Sequence, residues 1–309
     1  MGLVDLICMG EPMLELNQQH AEGGAMYRSG HGGDTSNAAI AAARQGARVG
    51  YLTAVGRDSG GDSFLELWRA EGVDTTHVLQ DLVNPTAVYL VHHGERGHAF
   101  QYYRQGSAAS AYGPTHVPDA AIREAKILYA SGISQGISNS AADAVFHAID
   151  VARGAGVKVA YDTNYRPSLW PAARASAIIH AAISQSAIAL PSLEDASLLT
   201  GLSDPDAVVD FYLHLGPSLV VLKMGAAGTM LATPNERVRI APFPCSPVDA
   251  TGAGDTFCGA FLARLIAGDE PRVAAGYAAC AAALSTTGYG AVPPIPREAA
   301  VRAALATMR

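Results

Sequence analysis

The feature that most constrains this chain is an alternation. Short apolar runs that read as buried strands are repeatedly followed by helical stretches that stop at a glycine. Val4 to Met9 is the first such run, and Thr35 to Gly46 the first helix, rich in alanine. Val49 to Val55 then predicts a strand, and Ser59 to Glu71 a helix closed by Gly72. Lys126 to Ala130, Val157 to Tyr161, Ala187 to Leu190 and Leu219 to Lys223 repeat the strand signal, and Ser140 to Ala155 the helical one. Helices fill the gaps, and two more, Gly254 to Ala267 and Pro271 to Ser285, close the chain. Strands that are apolar throughout are buried on both faces, which predicts an α/β protein with a mainly parallel sheet covered by helices on each side. No repeat, low-complexity tract or long linker divides the 309 residues, so one domain over 1–309 is expected.

Two regions break the pattern. Met13 to Asn17 alternates apolar and polar residues, as do Ala87 to His92 and, joined through Gly94 and Gly97, His98 to Arg104. Alternation implies one wet and one dry face. These pieces read either as a small antiparallel sheet standing off the main one or as edge strands of the main sheet.

Composition excludes several classes. Hydrophobic residues are 49% and charged residues 16%, enough for a large core. A formal charge of −7 argues against nucleic acid as a partner. Cys8, Cys245, Cys258 and Cys280 form no C-x-x-C pair and have no histidine at zinc-ligand spacing, so they read as buried, reduced thiols. The amino terminus lacks a basic region before its apolar run, and Val273 to Leu284 is too short to span a bilayer. A soluble, cytoplasmic protein with no membrane partner is expected.

The densest chemistry lies in Asp249-Ala250-Thr251-Gly252-Ala253-Gly254-Asp255. Two glycines let the backbone aim its N–H groups at one point, and the helix beginning there adds partial positive charge, which makes an anion hole. Asp255 falls in the first helical turn. A carboxylate beside a phosphate site is unfavourable unless it has a task, and accepting the proton of an attacking hydroxyl is such a task. On this string alone, an acidic cap after a glycine turn explains Asp255 equally well. Neither a P-loop nor a G-x-G-x-x-G follows a strand anywhere.

The 249–261 segment resembles the carboxyl-terminal signature of the ribokinase, or PfkB, family of carbohydrate kinases. Gly32-Gly33-Asp34-Thr35-Ser36-Asn37 resembles its sugar-binding signature, and Lys223-Met224-Gly225-Ala226-Ala227-Gly228 is similar to its nucleotide-side loop. The three occur in the family's order, over essentially the whole chain. The resemblance implies a ribokinase-like fold: a Rossmann-like three-layer α/β/α core with a β-sheet lid, here from segments of about 12–31 and 85–106. It also implies ATP and Mg²⁺ as cofactors. Within the family, the likeness is to 2-keto-3-deoxygluconate kinases, carried by Gly10-Glu11-Pro12-Met13, by Tyr102-Tyr103-Arg104 and by Asp162-Thr163-Asn164-Tyr165-Arg166 before Leu169-Trp170.

That resemblance implies Gly32, Gly33, Asp34, Asn37, Tyr89, Tyr103, Arg104, Arg166 and Asp255 at the substrate. It implies Asn164, Lys223, Gly225, Gly228, Thr251, Gly252 and Gly254 at the nucleotide. Asp255 becomes the base, with the N–H groups of Gly252, Ala253 and Gly254 around the transferred phosphoryl group. Arg104 and Arg166 suit a sugar acid, since arginine holds a carboxylate with paired hydrogen bonds. Two departures matter. The family's N-x-x-E motif, which organises Mg²⁺ through water, reads Ser192-Leu193-Glu194-Asp195, so Glu194 and Asp195 are the metal candidates. The acidic residue some relatives carry near Tyr289 is missing. A fructokinase- or ribokinase-like activity is the alternative, then an inactive sugar-binding regulator. An exposed lid edge would permit a homo-oligomer.

Overall fold

The computed structural model describes residues 4–21, 24–94 and 97–307. The first three residues, and positions 22–23 and 95–96 within the segments expected to form a lid, lie outside that description. The strands are β1 (Leu6–Met9), β2 (Met13–Ala21), β3 (Gly24–Gly32), β4 (Val49–Gly56), β5 (Val78–Asp81), β6 (Ala87–Gly94), β7 (Gly97–Tyr103), β8 (Ile127–Ser131), β9 (Lys158–Asp162), β10 (Ile188–Ala189), β11 (Leu219–Lys223), β12 (Thr229–Ala232) and β13 (Arg237–Ile240). Nine form the main sheet, in the order β13-β12-β11-β10-β9-β8-β1-β4-β5. From β11 to β5 every pair is parallel. β12 and β13 add an antiparallel edge. Helices cover both faces, as the doubly apolar strands require.

The four remaining strands form a second sheet, β3-β2-β6-β7. Its outer pairs are antiparallel, but the central β2–β6 pair is parallel. Both strands leave the main sheet soon after one of its parallel strands, β2 after β1 and β6 after β5, and so start out in the same direction. β3, β5, β12 and β13 carry no clear apolar run. β5 and β13 are half exposed, so alternation with charge hid them. A further helix, Glu298–Ala306, follows the two that were expected to close the chain. Cys245 is exposed, in the irregular stretch before the 249–255 turn, while Cys8, Cys258 and Cys280 are buried; all four are free.

Alanine and glycine set one decisive distance. The Asp34–Arg44 and Ala253–Ile266 helices pack so closely that a Cβ added at Gly259 would lie 2.2 Å from the Ala38 carbonyl oxygen and 2.8 Å from the Ala41 Cβ. Small side chains permit that approach, and it carries Asn37 on one helix to Asp255 on the other. Gly259→Ala is expected to cost about 1–3 kcal/mol by overpacking. Urea unfolding checks it, and an unchanged midpoint would mean that the helix pair has room to spare.

Candidate active site

The recess opens at the carboxyl-terminal ends of the parallel strands, where open α/β sheets bind ligands. β1 ends toward Gly10 and Glu11, β8 at Ser131, β9 at Asp162 and β11 at Lys223. The 249–255 turn closes one side. Gly252 holds φ +74 as the residue before the helix, a left-handed conformation that glycine adopts without strain. The N–H of Ala253 bonds to the Ala250 carbonyl at 3.1 Å, so it is not the free donor the sequence implied. Among the described residues no backbone acceptor takes the N–H of Gly254 or Asp255. A Cβ at Gly254 would meet only the Lys223 ammonium, at 3.8 Å, so open space separates that cation from the first helical turn. Thr251 is exposed and turned to Asp249, its hydroxyl donating at 2.6 Å.

On the opposite side stands the Gly32–Asn37 segment. Gly33 has φ +112, and a Cβ there would lie 2.4 Å from the Glu11 carbonyl oxygen. A Cβ at Gly32 would collide with the Tyr89 ring. Asp34 is buried; one carboxylate oxygen accepts from Ser131 Oγ at 2.5 Å and from Asn164 Nδ2 at 2.8 Å. Its other oxygen, and the side-chain oxygen of Asn37, are buried without a partner in the protein. Buried acceptors left open this way await donors, and sugar hydroxyls are donors. Asn164 is the one described non-glycine residue with positive φ, +28. Such strain is sustained where the surroundings fix the residue, here by its bond to Asp34.

Asp255 accepts from Asn37 Nδ2 at 2.9 Å. Burial and the neighbouring Asp34 push its carboxyl up to about 7, and Asp162 pushes the same way, while Asn37 and Lys223 oppose them. Asp34 is raised too, chiefly by burial. Asp162 accepts the Lys223 ammonium at 2.6 Å. Asp195 lies inside the recess, 3.3 Å from Thr163 Oγ1, with its carboxyl raised by burial and by Asp162. Glu194, one position away on the same helix, is exposed. Of the two metal candidates, only Asp195 faces the recess. No cluster of three metal-ligating side chains exists among the described residues. The donor set therefore fits an ion carried by nucleotide phosphates, met through water by a buried carboxylate that gains from its charge.

The two arginines differ. Arg104 is bound by Glu11, whose side chain is wholly buried: Nε donates at 2.9 Å, and Nη2 bonds the same oxygen. Ser107 Oγ holds the other Glu11 oxygen at 3.1 Å. Sequence reading assigned no role to Glu11, although it sits in the quoted Gly10-Glu11-Pro12-Met13 string. Arg166 is half exposed, donates to the Tyr165 carbonyl at 2.9 Å and approaches Asp195 at 3.9 Å. Tyr89 is buried and hydrogen-bonded to Glu15. Register pairs Tyr89 with Tyr102, and their rings lie 5.9 Å apart. Tyr103 points to the opposite face of the small sheet and is exposed, so Tyr102, not Tyr103, shares a face with Tyr89. Gly225 (φ +55) and Gly228 (φ +87) shape the turn after β11. Gly228 lies against Ile240, where a Cβ would stand 2.2 Å from its carbonyl oxygen.

Residues 5–298 match the family model described as pfkB family carbohydrate kinase. The chain is 33% identical to a 2-dehydro-3-deoxygluconokinase of Thermoproteus tenax, over 96% of this chain and 94% of the relative. It resembles a fructokinase from Vibrio cholerae O395 solved with fructose, ADP and calcium: TM-score 0.86, 26% identity, covering 98% and 99% of the two chains. An E. coli protein described as a ribokinase II, solved with ATP and Mg²⁺, shares the fold at TM-score 0.91 and 24% identity, covering 99% and 100%.

The Asp255 carboxyl, near 7 in the folded protein against an ordinary value of 3.8, binds its proton more tightly folded than unfolded. The stability this adds is complete below about pH 4 and is lost as pH rises through 7. Asp255→Asn is therefore expected to raise Tm at pH 8 and to change it little at pH 4. The same substitution should lower kcat by about two to four orders of magnitude. Thermal melts at both pH values, with turnover on the same samples, check the pair; a Tm lowered equally at both would contradict the assigned shift.

Proposed function

We propose, from the premise that the chain belongs to the pfkB family of carbohydrate kinases, that it transfers the γ-phosphoryl group of ATP to the terminal hydroxyl of 2-keto-3-deoxygluconate. As a member of that family it is a phosphotransferase with an alcohol group as acceptor, and it uses ATP with Mg²⁺. The observation that carries the choice of a sugar acid is Arg166. Its guanidinium is half exposed, has no full counter-ion and acts electrostatically on Asp34 of the sugar-side segment. A carboxylate on the substrate would complete its hydrogen bonds in pairs.

In this reading Asp34 and Asn37 accept sugar hydroxyls with their open oxygens. Tyr89 and Tyr102 form a wall over the ring. Asp255 takes the proton of the attacking hydroxyl; the new O–P bond forms as the bond to ADP breaks, and the leaving charge stays on ADP. The N–H groups of Gly254 and Asp255 hold the transferred group. Mg²⁺, when bound, neutralises phosphate charge. The chain works as one domain over 1–309, and the small sheet, from segments near 12–31 and 85–106, is its lid, excluding water that would otherwise attack ATP.

A fructokinase-like reading draws on one observation: Glu11 cancels the charge of Arg104 inside the fold, so only Arg166 is left to greet an acid. Kinetics on paired substrates separate the two. Arg166→Ala should lower kcat/KM for the sugar acid by about 2–4 kcal/mol in transition-state terms, and much less for a neutral sugar. Arg104→Ala should weaken both alike, since it leaves Glu11 buried and unpaired. Equal losses for Arg166→Ala on the two substrates would remove the sugar-acid assignment.

A further inference from the structure

We infer that Lys223 is the cation that receives the transferring phosphoryl group, and that Asp162 holds it ready until the nucleotide arrives. The inference rests on the kinase reading and not on which sugar is used.

Lys223 is the last residue of β11, and its backbone bridges to Ser192. Its ammonium bonds to Asp162 Oδ2 at 2.6 Å and lies 3.3 Å from the Cys258 sulfur. On its remaining side it faces Gly254 across open space. The free N–H groups of the helix start and the ammonium thus flank one gap. A side chain at position 254 would fill that gap. Two oppositely placed sources of positive charge around an empty space match a phosphoryl group, whose charge spreads over three oxygens. Lysine suits the task as a point charge on a flexible stem.

Burial alone would drive the ammonium toward neutrality, but Asp162 and Cys258 outweigh it, and the group stays protonated well above its ordinary range. A buried lysine–aspartate pair is weak support for a fold, because apolar residues of similar volume do as well or better. Its retention beside the anion hole is explained by a need for mobile charge. Asp162 is built to lose its partner: one oxygen accepts the Asn164 N–H at 3.3 Å, and the other accepts the Cys258 thiol at 3.4 Å. When the γ-phosphoryl group draws the ammonium across the gap, the carboxylate keeps both. Those that act on Asp255 are Asp34 and Asn37 from the adjoining helix, Asp162 from the end of β9, and Lys223. Tyr129 of β8 and Cys258 also face it. Lys223 is the positive charge among them, so it also favours the basic form of Asp255.

The test compares Lys223→Met with Lys223→Arg, by calorimetric titration of Mg·ATP and Mg·ADP without sugar and by the pH dependence of turnover. Lys223→Met should weaken ATP roughly tenfold or more, the scale of a lost charge-assisted hydrogen bond, and leave ADP near wild type. It should lower kcat about 10²–10³-fold and move the acid limb of the pH profile upward. Lys223→Arg should recover part of each. If Lys223→Met alone is too unstable to purify, K223M/D162N keeps the pair neutral and is read in the same way. Equal loss of ATP and ADP affinity, or turnover within about threefold of wild type, would make Lys223 a structural residue and overturn the inference. Failure of the wild type to bind ATP would instead count against the kinase reading.

Discussion

Crowding of carboxylates is the constraint on which the rest of this structure depends. Asp34, Asp162, Asp195 and Asp255 act on one another in a single recess, and burial and mutual repulsion lift Asp34, Asp195 and Asp255 above the usual carboxylate range. Such an arrangement opposes folding and has to be offset locally. The offsets are visible: Ser131 and Asn164 on Asp34, Asn37 on Asp255, Thr163 on Asp195, and the Lys223 ammonium on Asp162. Each comes from a different element. The sheet and its helices are therefore arranged so that donors converge where the acids are.

That convergence explains where the chain is close-packed. Gly259 lets two helices touch so that Asn37 reaches Asp255, and Gly132 lies where a Cβ would stand 2.1 Å from the Thr163 carbonyl oxygen. The second contact draws the end of β8 toward the 162–166 segment that carries Asp162, Asn164 and Arg166. The small sheet has no comparable packing. Its aromatic face, Tyr89 with Phe100 and Tyr102, retains exposed rings, which suits a surface completed by a ligand more than a finished core.

Legibility in the sequence followed the range of the interaction. The parallel core was readable because doubly buried strands are apolar residue after residue. The anion hole was readable because a glycine turn and the helix it starts are neighbours in the chain. The Glu11–Arg104 pair spans 93 positions and the Asp162–Lys223 pair 61, and no spacing rule records such distances. Two local choices failed for a different reason. Whether Glu194 or Asp195 enters the recess depends on helical phase, and whether Tyr102 or Tyr103 faces Tyr89 depends on strand register. Both switch with a shift of one residue. The strands at the antiparallel edge were missed because half-exposed, charged segments such as Arg237–Ile240 carry little apolar signal.

The two arginines show how a fold can alter what a residue type means. In sequence they are equivalent, a pair of cations from distant segments suited to one carboxylate. In the fold Arg104 already has a carboxylate, and a poor one to abandon, since Glu11 would then lie buried without a counter-charge. The ion pair is electrically closed and fastens the end of β7 to the loop after β1, beside the backbone contact of Glu11 with Gly33. Its effect on a ligand is thus one of shape, through the position of the strand and of Gly33. Arg166 is tied only to a backbone carbonyl and to the rim of Asp195, and it retains unused donors. Selection between an acidic and a neutral sugar then falls to one residue with a half-exposed charge. Solvent weakens such a charge, so discrimination depends on how completely the small sheet covers it.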